Sequence, residues 1–351
     1  TLQGDGSQNT IKVVSSGTDD AAYSKEQIIS GVISEAGGAK KLVKDGVGRL
    51  NLQGNNSYTG GTEINHGTVH VGNGSDDADL GSGTITINKG KLEVGDGDTV
   101  SNTINGGTGK SMIGGAGTFS GTNKTLSSVN YLAIGSGDIS TVSPGQGISS
   151  SLTSKTSQQQ VTFGAGSADD AMGILKVNNL ALLDGGVYDW EISDFTGSAG
   201  TGFDVLQFDK LAFDEGSGKS FNINVFGVNN STGNAGGGAS SGIHTGNNGI
   251  LFLDSVSNND NDVIWGGVSD LGNSGWSDAS AYFTVNDSGY NYHHGGLNGG
   301  WSVWYNGSGD FYLRYSAVPE PSTYVMVLGM LLVPGFRFFR RFRKGIKEED
   351  Q

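Results

Sequence analysis

Arg49-Leu50-Asn51-Leu52-Gln53-Gly54-Asn55-Asn56-Ser57-Tyr58-Thr59-Gly60-Gly61-Thr62, continued by Glu63-Ile64-Asn65-His66-Gly67-Thr68-Val69-His70-Val71-Gly72, is the stretch that decides the fold of this 351-residue chain. Leu50 and Leu52 fall on one face, Ile64 follows, and Val69 and Val71 alternate in the same way. That period of two belongs to strands with one buried face. Each apolar run stops at Gly or Asn, the residues that accept the positive φ of a tight corner. Strands of about three to five residues are too short for a sandwich and suit the rungs of a parallel β-helix, where each strand pairs with the coils above and below.

Working outward, Ser30-Gly31-Val32-Ile33-Ser34 and Leu42-Val43-Lys44-Asp45-Gly46-Val47-Gly48 lead into this unit. Leu80-Gly81-Ser82-Gly83-Thr84-Ile85-Thr86-Ile87 and Lys91-Leu92-Glu93-Val94-Gly95 echo it downstream. Gly106-Gly107 and Gly114-Gly115-Ala116-Gly117-Thr118 read as further corners. The run Lys44–Gly72, centred on Asn56 to Thr62, resembles the autotransporter-associated β-strand repeat. Ser143-Pro144-Gly145 and Gly173-Ile174-Leu175-Lys176-Val177 resemble later coils of the same passenger proteins. The resemblance implies a β-helical passenger fold but not its export route. A secretion pore would need many C-terminal amphipathic strands of ~10 residues, and this chain ends in one apolar segment and Glu348-Glu349-Asp350-Gln351.

Composition supports a solenoid over disorder. The 62 glycines are roughly two and a half times average usage, while prolines number four and charged residues 16%. So little charge does not suit a disordered chain. With no cysteine, stability must come from hydrogen-bond ladders and stacked apolar rows rather than disulfides. The net charge of −14 disfavours nucleic acid, whose phosphates need clustered Lys and Arg. The chain opens Thr1-Leu2-Gln3 without Met or a visible signal peptide, which reads as a mature or truncated form.

The expected architecture is all-β: a right-handed parallel β-helix (solenoid) with a C-terminal β cap and a single C-terminal transmembrane helix. Residues 1–28 read as an N-terminal β segment or cap and 29–226 as the β-helix, with its repeat at 44–72. The Gly/Asn-rich stretch 227–249 reads as a linker. Residues 250–316 carry longer, more aromatic strands, among them Ile250-Leu251-Phe252-Leu253, Trp301-Ser302-Val303-Trp304-Tyr305 and Phe311-Tyr312-Leu313-Arg314-Tyr315. They read as an antiparallel cap over the open end of the solenoid.

The tail, 317–351, has three ordered parts. Val318-Pro319-Glu320-Pro321-Ser322 is held extended by its prolines. Tyr324-Val325-Met326-Val327-Leu328-Gly329-Met330-Leu331-Leu332-Val333-Pro334-Gly335-Phe336 is apolar, and Arg337, Arg340, Arg341, Arg343 and Lys344 follow it. From Ser322 to Phe336 is about 15 residues against the ~17–25 of a comfortable span, so the crossing is marginal. Phe338, Phe339 and Phe342 extend it if the basic side chains snorkel. Positive charge stays cytoplasmic, placing the upstream residues on the exported side. The tail resembles the PEP-CTERM sorting signal of Gram-negative bacteria. That resemblance implies recognition by an exosortase-type membrane protease, anchoring in the inner membrane, and then release to the cell surface, outer membrane or extracellular matrix.

Catalytic chemistry is sparse. Absent cysteines exclude thiol nucleophiles and Cys-based zinc sites. His66 and His70 are separated by Gly67, which puts His66 at a corner; His293-His294 with Asp287 read as a solvated pair, and His244 stands alone. Asp96, Asp98, Asp260 and Asp262 offer hard oxygens for calcium but lack the spacing of a known calcium loop. Gly106-Gly107-Thr108-Gly109-Lys110-Ser111 lacks the spacer of a phosphate loop. Asp189 and Glu191 share a face in Tyr188-Asp189-Trp190-Glu191-Ile192, with Asp194, Asp204 and Asp209 further on, a candidate acid–base pair. No Arg or Lys stands near Asp189 or Glu191 in sequence. No cofactor and no metal are expected. The reading is a non-enzymatic surface or matrix protein for adhesion, with exopolysaccharide as a partner; Tyr290, Tyr292 and Trp301 could stack on sugar rings where exposed, although core packing is the favoured place for them. Its alternative is a β-helix that binds or degrades polysaccharide through Asp189 and Glu191.

Overall fold

A computed structural model describes residues 8–12, 26–72, 79–135, 137–145, 172–194, 197–213, 220–227, 249–265, 271, 275–289 and 299–317. The tail elements expected at 318–351 lie outside these residues, as do 228–248 of the expected linker. Among the described residues no helix is long and apolar enough to cross a membrane.

The strands form β-solenoid sheets, and successive coils pair in parallel. Among the described residues one sheet has five strands, a second nine, a third eleven and a short one two. The chain visits the sheets in turn: Lys41–Asp45 lies in the first, Arg49–Leu52 in the second, and Thr62–Ile64 returns to the first beside Lys41–Asp45. Gln8–Lys12 and Glu26–Ile29 already pair in parallel with the coil that follows them. A coil of roughly 20 residues carries the chain from Arg49 to its neighbour Thr68.

Inside, alternation produces continuous rows. Along the second sheet Leu50, Val69, Leu92, Ile113, Val142, Tyr188 and Ile223 stack in register, and all are buried. Each aliphatic member contributes about 1.5–3 kcal/mol by leaving water. The repeat's polar residues are buried too. Asn56 Oδ1 accepts from the Ile33 N–H at 2.7 Å, and the Tyr58 and Thr62 hydroxyls meet at 2.6 Å. In the next coils Asn102 Nδ2 donates to the Gly81 and Gly83 carbonyls, each at 2.8 Å. These amides and hydroxyls saturate corner backbone groups that no strand ladder reaches. Gly81, at φ +70°, sits so close beneath the previous coil that a Cβ would lie 2.1 Å from the Tyr58 carbonyl oxygen.

Lys44 occupies an interior position in register with Ile64 and Ile87 and is buried. Its Nζ donates to the carbonyls of Asp45 and His66 at 3.0 Å and Gly46 at 2.5 Å. Burial pushes its amine down to about 8, against a smaller upward pull from Asp45.

Beyond residue 172 the strands lengthen to nine residues at Ile174–Leu182 and Val205–Phe213, and the core turns aromatic around Trp190, Phe208, Phe252 and Phe311. The antiparallel pairing expected across 250–316 holds for Ser277–Asp278, Gly299–Tyr305 and Phe311–Ala317. Three strands there run otherwise. Ile250–Ser255 and Val263–Ile264 pair in parallel with Val205–Phe213, and Phe283–Gly289 with Phe221–Gly227. The coil-to-coil pairing therefore runs past residue 250, and the antiparallel strands join its last coil through Ile250–Ser255.

Candidate functional surface

On the outer side of the second sheet, strand alternation and coil register place polar side chains in two rows. One runs Asn51, His70, Glu93, Gly114, Ser143, and further along Asp189, Asn224 and Asn286. Beside it run Arg49, Thr68, Lys91, Met112, Thr141 and Val187. Such a face ordinarily lies open to water, yet Arg49, Thr68, His70, Lys91, Glu93 and Asp189 are all buried.

Two carboxylate centres form on this face. At the first, Glu93 receives Lys91 Nζ at 3.1 Å and Arg49 Nη2 at 3.3 Å, with His70 Nδ1 at 3.8 Å. Burial alone would raise the Glu93 carboxyl; Lys91, Arg49 and His70 more than offset it and hold the group at about 2. Arg49 Nε also lies 3.6 Å from Glu26. Lys91 crosses the coil above because Gly114 leaves room: a Cβ there would meet the lysine Cε at 2.4 Å.

The second centre holds Asp189, Glu191 and Asp204. Asp189 accepts from Asn224 Nδ2 at 2.7 Å and lies 3.6 Å from Lys110 Nζ. Burial pushes the Glu191 carboxyl up to about 7; Lys91 pulls it down and Asp189 pushes it up. Asp204 is buried with its oxygens on the Gly173 and Glu191 N–H groups at 2.9 and 3.1 Å. Burial and the facing Glu191 raise it well above the usual range, against those two hydrogen bonds. Asp189 and Glu191 do share a face, as their alternation implies. The expectation that no Lys or Arg stands near them is overturned: Lys110 is remote in sequence but adjacent through coil stacking, which sequence proximity cannot reveal. One carboxyl beside a cation and another protonated near neutrality is the arrangement from which acid–base pairs are built.

The other candidates are spread out. Asp96 is exposed and Asp98 buried. Asp260 accepts from the Tyr305 hydroxyl and Asp262 from that of Ser257. Among the described residues no three His, Asp or Glu converge as metal ligands. His66 stands at a corner 2.8 Å from Asp45, apart from the buried His70. Asp209 pairs with Lys176 at 2.9 Å, and Asp194 is partly buried. Trp301 is partly buried against the core, edge-on to Trp190 at 6.3 Å and Tyr315 at 5.2 Å; that packing removes it as an open sugar platform. Tyr290, Tyr292, His244, His293 and His294 lie outside the described residues.

The Glu93 centre was missed in sequence. Its signal was present as charge at alternate positions of Lys91-Leu92-Glu93-Val94 and Arg49-Leu50-Asn51-Leu52, which become neighbours only through the coil register.

This is a β-solenoid carrying an autotransporter-associated repeat. Residues 42–71 match the family described as passenger-associated-transport-repeat. An 89-residue stretch, 25% of this chain, is 38% identical to 2% of the length of the Adhesin BmaC autotransporter of Brucella suis biovar 1 (strain 1330). No solved structure matches the chain.

Proposed function

We propose that this chain is an exported, adhesin-like surface or matrix protein whose solenoid presents side chains for passive contact, without catalysis. The observation that carries the proposal is the repeat at 42–71, which matches a passenger family and is folded as solenoid coils. Its likeness to a stretch of an autotransporter adhesin supports the same reading. Export is completed by the tail. Pro319-Glu320-Pro321 is gripped by an exosortase-type protease while Tyr324–Phe336 and the basic residues after it hold the chain in the inner membrane; cleavage then frees it for the surface or for exopolysaccharide. Cell fractionation of the full chain and of a version ending at Ala317, with the mass of the mature C-terminus, tests this. Surface location with the tail cut near Pro319–Ser322 is expected. An intact tail retained in the inner membrane, or identical behaviour of both versions, contradicts it.

A second reading, polysaccharide binding or cleavage through Asp189 and Glu191, is favoured by one observation: Asp189 sits beside Lys110 while Glu191 is raised to about 7. Sugar release by the full chain that disappears in Glu191→Gln would establish it; absence of release removes it.

A further inference from the structure

The antiparallel strands Ser277–Asp278, Gly299–Tyr305 and Phe311–Ala317 lie side by side at the end of the third sheet. Their inward residues Val303, Tyr305, Phe311 and Leu313 are buried. On the other side Arg314 stands in register with Ser302, and Tyr312 with Trp304. The Arg314 guanidinium carbon is 4.1 Å from the Trp304 ring centre and 4.7 Å from that of Trp276. Trp276 meets Tyr312 edge-on at 4.9 Å and is 41% exposed, while Trp304, Tyr312 and Arg314 are half-buried. A hydrogen bond from Trp304 Nε1 to Ser302 Oγ at 3.0 Å fixes the indole.

Arg314 has no carboxylate partner and makes no hydrogen bond among the described residues, and its Nε is buried without one. In a chain of net charge −14 an unpaired guanidinium runs against the surrounding field. The acids beside its neighbours Tyr312 and Trp304 are engaged elsewhere: Asp254 with Gln207 Nε2 at 2.8 Å, Asp310 with the Ser255 N–H at 3.0 Å and Asn306 Nδ2 at 2.7 Å, and Asp278 with the Ser280 N–H at 2.8 Å. Cation–π contact with two indoles explains how the cation is held. It leaves unused the edge of the guanidinium, which matches a carboxylate bidentately.

We infer that Trp276, Trp304, Tyr312 and Arg314 form a binding platform for a polysaccharide bearing uronic-acid carboxylates. A sugar ring stacks on the exposed Trp276, and its carboxylate meets the edge of Arg314. Neutral glycans would gain only the stacking, and acidic peptides only the charge, so the pairing of both selects a uronate. The inference deepens the adhesin reading by giving it a ligand class.

The test titrates the full chain with oligogalacturonate and oligoalginate, followed by tryptophan fluorescence and calorimetry. Cello-oligosaccharide and polyglutamate are the neutral and the peptide controls. Binding of a uronate oligomer is expected to weaken about tenfold in Trp276→Ala and further in Arg314→Gln, with Arg314→Lys between. It should also fall with added salt. Trp276→Ala, outside any strand and substantially exposed, keeps the test decisive should Arg314→Gln fail to fold, as circular dichroism will report. Absence of uronate binding, binding indifferent to Trp276→Ala or Arg314→Gln, or equal binding of either control overturns the platform. Uronate binding by a chain that never reaches the surface would leave the platform standing and sink the adhesin reading; adhesion that survives Trp276→Ala and Arg314→Gln would do the reverse.

Discussion

The coils around Glu93 and those around Glu191 lie along the same sheet and treat a carboxylate in opposite ways. Glu93 is surrounded by Lys91, Arg49 and His70 and is held ionised. Glu191 is driven toward the protonated form by burial and by Asp189, against a pull from Lys91, and in turn raises Asp204. Around Glu93 the strands are short, the core aliphatic and the corners closed by buried Asn, Tyr and Lys. In the coils that hold Glu191 the strands of the third sheet reach nine residues and the core is aromatic. A solenoid needs only that neighbouring coils match, so electrostatic balance can be met in one stretch and left unmet a few coils on. An unmet balance of this kind marks a candidate functional site.

Substitution offers the sharpest contrast. Glu93→Gln leaves buried cations without their anion and should cost about 3–5 kcal/mol. Glu191→Gln removes a repulsive contact and should leave stability unchanged or raised. Urea midpoints measure both, and equal losses would break the comparison. Next, Gly81→Ala should cost about 3 kcal/mol, because positive φ and the Tyr58 carbonyl both oppose a Cβ. Gly300, exposed with nothing within 4 Å of an added Cβ, should tolerate Ala within about 0.5 kcal/mol. Lys44→Met should cost about 2 kcal/mol by stripping three corner carbonyls of a donor. It should also remove a rise in stability between about pH 8 and 10.5, since the folded state binds that proton less tightly than the unfolded state.

The smallest difference lies in pH response, muted by the solvent contact Glu191 retains. Glu93 is lowered from 4.5 to about 2, so its contribution is complete above 4.5 and is lost as pH falls toward 2. Glu191 is raised from 4.5 to about 7, so its contribution is present below 4.5 and is lost as pH rises through 7. Thermal midpoints of the unmodified chain, relative to Glu191→Gln, should therefore decline between about pH 4.5 and 7. A flat difference would show that Glu191 is not raised.

The early coils were legible because each short strand carries its own alternation and each corner its own Gly or Asn: Leu50 and Leu52 point inward by periodicity alone. The charge centres were not. Arg49 pairs with Thr68 and Thr68 with Lys91 over unequal steps, so the register that brings Arg49 to Glu93 or Lys110 to Asp189 cannot be read from spacing. The strands after residue 249 read as a separate cap because their side chains are aromatic. Parallel pairing is a backbone property, and Ile250–Ser255 and Phe283–Gly289 continue it despite their composition. Trp301 packs against the core, the placing favoured for it in sequence, while alternation puts Trp304 and Arg314 on the outer side.

The most direct test of a passive, adhesive solenoid is to incubate the full chain with polysaccharide from the cells that make it, measuring retention and release of reducing ends together. Retention without release is the predicted result. Release that vanishes in Glu191→Gln, or no retention at all, would contradict the account.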